Sequence, residues 1–135
     1  MTGLALAAAA EKLVGAPFRL HGRDPQTGLD CIGVLTSALG EIGRSASLPA
    51  NYALKSRMIP DLNELADRCG LIETQGALMP GDVVFTRVSP CQHHLLLAVR
   101  QNRFVHAHAG LRRVVISDGP LPWPAIACWQ LNETI

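Results

Sequence analysis

Near residue 82 the hydrophobic pattern of the chain changes period, and no other feature constrains the fold as much. In the first half, Cys31, Val34, Leu35, Ala38, Leu39 and Ile42 recur at helical spacing and draw one continuous apolar stripe. In the second half, "DVVFTRV", "HHLLLAV", "RFVHAHA", "RRVVIS" and "AIACWQL" are short runs rich in β-branched residues, leucine and aromatics, separated by turn residues. Helices followed by strands predict an α+β fold, with N-terminal helices packed on a C-terminal antiparallel β-sheet of about five strands. A chain of 135 residues holds one hydrophobic core, and it carries no internal repeat, linker or low-complexity tract. Residues 1–135 are therefore read as a single domain.

Local signals mark the helices. An alanine-rich helix is expected over 3–14, stopped by Gly15 and Pro17. The next has Asp30 at its N-cap and Gly43 where it ends. A loop through "SASLPANY" leads to a third helix starting near Pro60, with Leu62, Leu65, Ala66 and Cys69 inward and Gly70 closing it. The first helix resembles an export signal only in its alanines: it has no basic leader, and Glu11 and Lys12 continue it. No apolar run approaches membrane-spanning length. The expectation is synthesis in the cytoplasm without a signal peptide, and no membrane insertion. A net charge of +1 without charge blocks argues against nucleic acid as a partner. The four cysteines form no CxxC pair and are read as reduced thiols, with Cys69 and Cys128 as buried apolar residues.

Cys31 and the histidines carry the chemistry. A cysteine in the first turn of a helix lies at the positive end of the dipole, where a thiolate is favoured and peptide N–H groups can receive an oxyanion. Nucleophilic catalysis also needs a base and a group to orient it. Four of the five histidines lie in "CQHHLLLAV" and "RFVHAHAG", two runs that read as one hairpin turning near Gln101 and Asn102. A two-residue turn puts His93 on the face of His106 and His108, whereas a longer turn or one bulge puts His94 there. Periodicity alone leaves both open. A zinc site drawn from Cys91, His93, His94, His106 and His108 is the rival, although C-x-H-H and H-x-H match no familiar structural pattern.

Taken in order, the motifs resemble the NlpC-type cysteine peptidases, a papain-like group of cell-wall hydrolases. "LVGAPFRLHGRDPQTGLDCIGVL" is similar to the family's opening, "LMPGDVVF" to its strand entry, and "HLLLAVRQNRFVHA" to its histidine strand, turn and following strand. The resemblance implies the papain-like fold and a Cys31–His94–His106 triad of nucleophile, base and orienting residue. It also implies the longer turn or the bulge, with His93 and His108 as flanking residues that face away. Phe18, Asp30 and Ile32 become substrate-binding positions, and neither cofactor nor metal is implied. Ile32 stands where serine is common, Phe18 where tyrosine is frequent, and "LLLA" where a small residue usually follows the base. His21 replaces a small or aromatic residue. These departures resemble the branch found in phage tails, prophages and gene-transfer particles.

That resemblance implies hydrolysis of a peptide-stem amide of bacterial peptidoglycan, of the D-glutamyl-diamino acid endopeptidase type. It also implies work in cell-wall penetration as part of a phage-tail-like particle, with tail or baseplate-like proteins as partners. Room for one domain agrees with delivery by such a particle rather than by a wall-binding module. The alternative is a non-catalytic structural tail or assembly protein that retains the fold.

Overall fold

The computed structural model describes residues 2–46, 62–90, 92–100, 102–121 and 123–132. Three helices, α1 (Thr2–Glu11), α2 (Cys31–Glu41) and α3 (Leu62–Cys69), accompany eight strands among these residues. The strands are β1 (Arg23–Asp24), β2 (Gly28–Leu29), β3 (Leu71–Glu73), β4 (Val83–Ser89), β5 (Gln92–Arg100), β6 (Arg103–His108), β7 (Arg113–Asp118) and β8 (Ala125–Leu131). The outcome is the expected α+β arrangement. The five long runs of the second half became β4 to β8, and β3 joins them as an edge strand in a six-stranded sheet ordered β3-β8-β4-β5-β6-β7. Every pairing in it is antiparallel. The start of the third helix near Pro60, and most of the loop before it, lie outside the described residues, as does Cys91.

Helix α1 ends three residues before the expected residue 14. Its regular turns end at Glu11, and three looser ones carry the chain to Gly15, whose N–H bonds to the Val114 carbonyl at 2.9 Å. Leu6, Ala7, Ala9 and Ala10 are buried, with α1 packed on α2 and β5. From Gly15 the backbone follows β7 and then β2: Pro17 bridges to Arg113 and Phe18 to Leu29.

Helix α2 has both of its expected ends. Asp30 caps it by accepting the Gly33 N–H at 2.8 Å. At the other end Gly43 takes a left-handed φ of 82°, and the Arg44 N–H returns to the Leu39 carbonyl at 2.9 Å. This is the 6→1 bond of a Schellman stop, and the Gly43 N–H adds the inner bond to Gly40 at 3.1 Å. The stripe Cys31, Val34, Leu35, Ala38 and Leu39 is buried as expected, while Ile42 becomes the C-cap and only packs against the core.

Two apolar layers sandwich the sheet. Val83, Phe85, Leu95, Leu97, Val99, Val105, Ala107 and Val114 meet the helices in the main core. Val84, Leu96, Ala98 and Phe104 point the other way and are covered by Leu78, Leu121, Trp123 and Cys128. Burial on both faces is why "LLLA" in β5 is apolar without alternation. Among the described residues no helix is long and apolar enough to cross a membrane.

The hairpin of β5 and β6 resolves the register that periodicity left open. Arg100 pairs with Arg103, which is a tight turn, but Leu97 pairs with Val105, and the register shifts between Ala98 and Arg100. Asn102 takes the left-handed φ of 56° that such a turn demands. A tight turn and a bulge therefore coexist. The bulge puts His94 on the face of His106, because a one-residue slip exchanges the two faces of a strand.

Candidate active site

The nucleophile end is built by backbone and by one carboxylate. Asp30 is buried, and its Oδ1 accepts both the Gly33 N–H and Arg23 Nη1, the latter at 2.7 Å. Its Oδ2 accepts the His21 N–H at 2.9 Å, which holds His21 in a left-handed conformation at φ 60°. The turn that carries His21 and Arg23 packs closely on the first turn of α2. A Cβ added at Gly33 would lie 2.1 Å from the Gly22 carbonyl oxygen, so this contact requires glycine. Asp30 is thus committed to capping the helix and pinning that turn.

Cys31 is buried at the head of α2, with its thiol near the peptide N–H groups of Leu95 and Ile32. Burial pushes the thiol up to about 12, and the Asp30 carboxylate adds to the rise. The two peptide donors and the Arg23 guanidinium lower it by less. The resting form is therefore the thiol, not the thiolate expected from the helix dipole. The residue that caps the helix brings its own negative charge beside the sulfur, and the main core removes water from it.

The other expected substrate positions divide. Ile32 is 1 % exposed and packs in the main core. α2 also packs on the β1–β2 hairpin, so its first turn is enclosed beyond the stripe. Phe18 remains half-buried, its N–H held by the Arg112 carbonyl at 2.9 Å, and keeps a face in solvent.

The base end is a line of side chains on the sheet face away from the helices. His94 Nε2 and His106 Nδ1 lie 3.0 Å apart and share a hydrogen, and His106 Nε2 lies 2.8 Å from Ser117 Oγ. Trp123 stands edge-on to both rings, with centroids 5.7 Å from His94 and 6.2 Å from His106. Burial pushes His94 down to about 3, and the neighbouring His106 and His108 rings lower it further. His106 falls to about 4, again chiefly by burial and then by His108. Both imidazoles are neutral near pH 7. A cavity of about 330 Å³ opens beside the pair, lined by Leu96, Phe104, His106, Ser117, Asp118 and Trp123 among others.

His93 faces away from this line, as expected: it is buried and stacked on Phe85, a residue of the main core, at 5.3 Å. His108 does not. Two residues beyond His106 on the same strand, it shares that face, with ring centroids 6.0 Å apart, and its Nδ1 accepts the Leu111 N–H at 3.1 Å. Among the described residues no group of three or more His, Cys, Asp or Glu side chains is placed to hold a metal ion, and Cys91 of the zinc reading lies outside them.

The structure thus brings His94 and His106 together and leaves Cys31 one step away. The thiol meets β5 at the N–H of Leu95, the residue after His94, and no hydrogen bond joins Cys31 to either ring. Sequence reasoning missed Ser117 and Trp123. Strand alternation carried a signal for Ser117, since its pairing with Phe104 places it on the face of the histidines. Trp123 lies in a loop, where no periodicity points to a face.

Comparison with known proteins matches this fold. The model of the NlpC/P60 family fits residues 15–120. No curated protein matches the chain. Among solved structures, NlpC1 from Trichomonas vaginalis is similar with a TM-score of 0.70 at 21 % identity, over 96 % of this chain and 45 % of that one. The chain therefore spans less than half the length of that relative. The NlpC/p60 domain of the peptidoglycan hydrolase SagA is similar with a TM-score of 0.57 at 22 % identity, over 87 % of this chain and 90 % of that one. The P60 domain of an antigen from M. avium subspecies paratuberculosis gives 0.60 at 14 % identity, over 96 % and 94 % of the two chains. The family match covers the capped cysteine helix, the bulged histidine hairpin and the strand that carries Ser117, and the chain belongs to the NlpC/P60 family.

Proposed function

We propose that this chain is a cysteine peptidase that cleaves amide bonds in the peptide stems of bacterial peptidoglycan. The observation that carries the reading is the His94–His106–Ser117 line, which begins one residue from the point where the Cys31 thiol meets β5. Family membership supports it, as does the likeness to a domain described as that of a peptidoglycan hydrolase. His94 spends Nε2 on His106, so Nδ1 is the nitrogen that receives the thiol proton. That transfer requires Cys31 and Nδ1 to meet, a contact made on the way to reaction.

With a neutral thiol and a neutral imidazole, the proton moves as the sulfur attacks. Sγ bonds to the scissile carbonyl carbon, and His94 takes the thiol proton. The tetrahedral intermediate then expels the amine, which leaves with that proton. Water attacks the resulting thioester with His94 again as base, releasing the new carboxylate and restoring the thiol. Gly33 has committed its N–H to Asp30 and the Ile32 N–H faces the thiol, so the oxyanion donor assigned within the first turn is the N–H of Cys31. Phe18 walls the substrate. The D-glutamyl-diamino acid bond and a place in a phage-tail-like particle belong to this proposal, on the strength of the sequence motifs and the departures at Ile32, Phe18 and "LLLA".

One observation favours a second reading, a non-catalytic structural tail protein: the buried Cys31 thiol makes no hydrogen bond to His94, whose Nε2 is taken by His106. Purified peptidoglycan incubated with wild type and with Cys31→Ala separates the two. The catalytic reading expects new amine termini by mass spectrometry with wild type only, and the fragments name the bond. If wild type releases nothing, and a thiol probe labels Cys31 no faster than Cys69, the structural reading stands.

A further inference from the structure

We propose that Ser117 is a positioning residue whose hydroxyl, by accepting a hydrogen bond from His106, fixes both imidazoles in the tautomer that leaves His94 Nδ1 free to act as a base. This rests on the catalytic reading for its consequence, but not for its physics. A neutral imidazole has one N–H and one lone pair, so the two contacts in the line are not independent. His106 Nε2 lies 2.8 Å from Ser117 Oγ, and His106 Nδ1 lies 3.0 Å from His94 Nε2. If Ser117 accepts, His106 carries its proton on Nε2, its Nδ1 accepts from His94 Nε2–H, and His94 Nδ1 keeps its lone pair. If Ser117 donates, every proton in the line shifts by one place. His94 Nδ1 is then already protonated and cannot take a proton from a thiol.

Three observations favour the accepting arrangement. First, Ser117 lines the cavity of about 330 Å³, so its hydroxyl hydrogen has room to turn away from the imidazole. Second, only this arrangement survives protonation of His94, because the imidazolium donates from Nε2 just as the neutral ring does. No proton then moves along the line during the reaction. Third, the strand that carries His106 offers no substitute acceptor at Nδ1 of His108, which is occupied by the Leu111 N–H. Pairing in the sheet fixes the serine in place, since Phe104 opposes Ser117 and Val115 opposes His106 on adjacent strands.

Long-range proton–nitrogen correlation spectra near neutral pH read the tautomers directly. Wild type is expected to show Nε2–H for both His94 and His106. Ser117→Thr keeps the hydroxyl and should keep that pattern, whereas Ser117→Val has nearly the same shape without it. In Ser117→Val the His106 signals should move toward the other tautomer or average between the two. On peptidoglycan, kcat should fall about 10- to 100-fold for Ser117→Val with KM little changed, the scale expected when a partner orienting a histidine is lost. Ser117→Thr should restore the rate. Wild-type tautomers in Ser117→Val, or equal losses in the valine and threonine variants, overturn the proposal. If wild type cleaves nothing while the tautomers follow the hydroxyl, the catalytic reading fails and the role of Ser117 in setting the tautomer stands.

Discussion

The two ends of the site are held by different kinds of force. At the head of α2, a buried carboxylate takes three hydrogen bonds, and glycine lets a turn press against the helix. On the far face of the sheet, His94, His106 and Ser117 are joined only by side chains standing on three neighbouring strands. The first end is fixed by backbone geometry, and disturbing it disturbs the fold. The second is fixed by register and by a shared proton, so a substitution there alters chemistry while the strands remain paired. Both ends are buried, and burial keeps both neutral: it pushes the thiol up and the imidazoles down. The site is a charge-free resting pair, with charge developing only as a proton moves.

The largest effect that breaks this contrast is on rate. His94→Ala should lower peptidoglycan cleavage about 100- to 10,000-fold, the usual weight of a positioned base, and leave the urea midpoint close to wild type. A variant that unfolds instead would mean that the histidine face is structural in the same sense as the helix head. Asp30→Ala should do the opposite. It removes a cap and the buried ion pair with Arg23, at a cost of about 2–4 kcal/mol in urea unfolding. A loss of activity with unchanged stability would return Asp30 to the substrate site.

A third effect sharpens the contrast through pH. Folding lowers His94 and His106 to about 4 or below, from an ordinary value near 6.5. Between those values the unfolded chain binds more protons than the folded one. Their contribution to stability is therefore full above about pH 6.5 and is lost as the pH falls through about 4 and then 3. The urea midpoint of wild type should drop between pH 6.5 and 4 more steeply than that of His94→Ala. Equal slopes would show that these rings are not neutral by burial.

How much of this was legible in sequence follows from how local each cause is. The caps of α2 and the long strands lie within a few residues of their signals, so Asp30, Gly43 and the runs of the second half were readable. The face of His94 depended on a bulge near Ala98, which the motif resemblance implied but alternation could not choose. β3 has only three residues, too few for a period. Ile32 lies off the apolar stripe, and its burial in the main core comes from tertiary packing that no period signals. The setting of the thiol divides in the same way: the helix dipole and the adjacent Asp30 carboxylate are local and visible, whereas the burial that outweighs the dipole arrives with the tertiary fold.

In the catalytic reading Cys31 attacks the substrate and carries an acyl group between the two steps. Peptidoglycan stem peptides mixed with the protein and quenched in acid should leave an acyl group on the tryptic peptide that contains Cys31, detected by tandem mass spectrometry. That adduct should be missing in Cys31→Ala and should not form on Cys69. Cleavage that persists in Cys31→Ala, with no adduct on wild type, would contradict the claim.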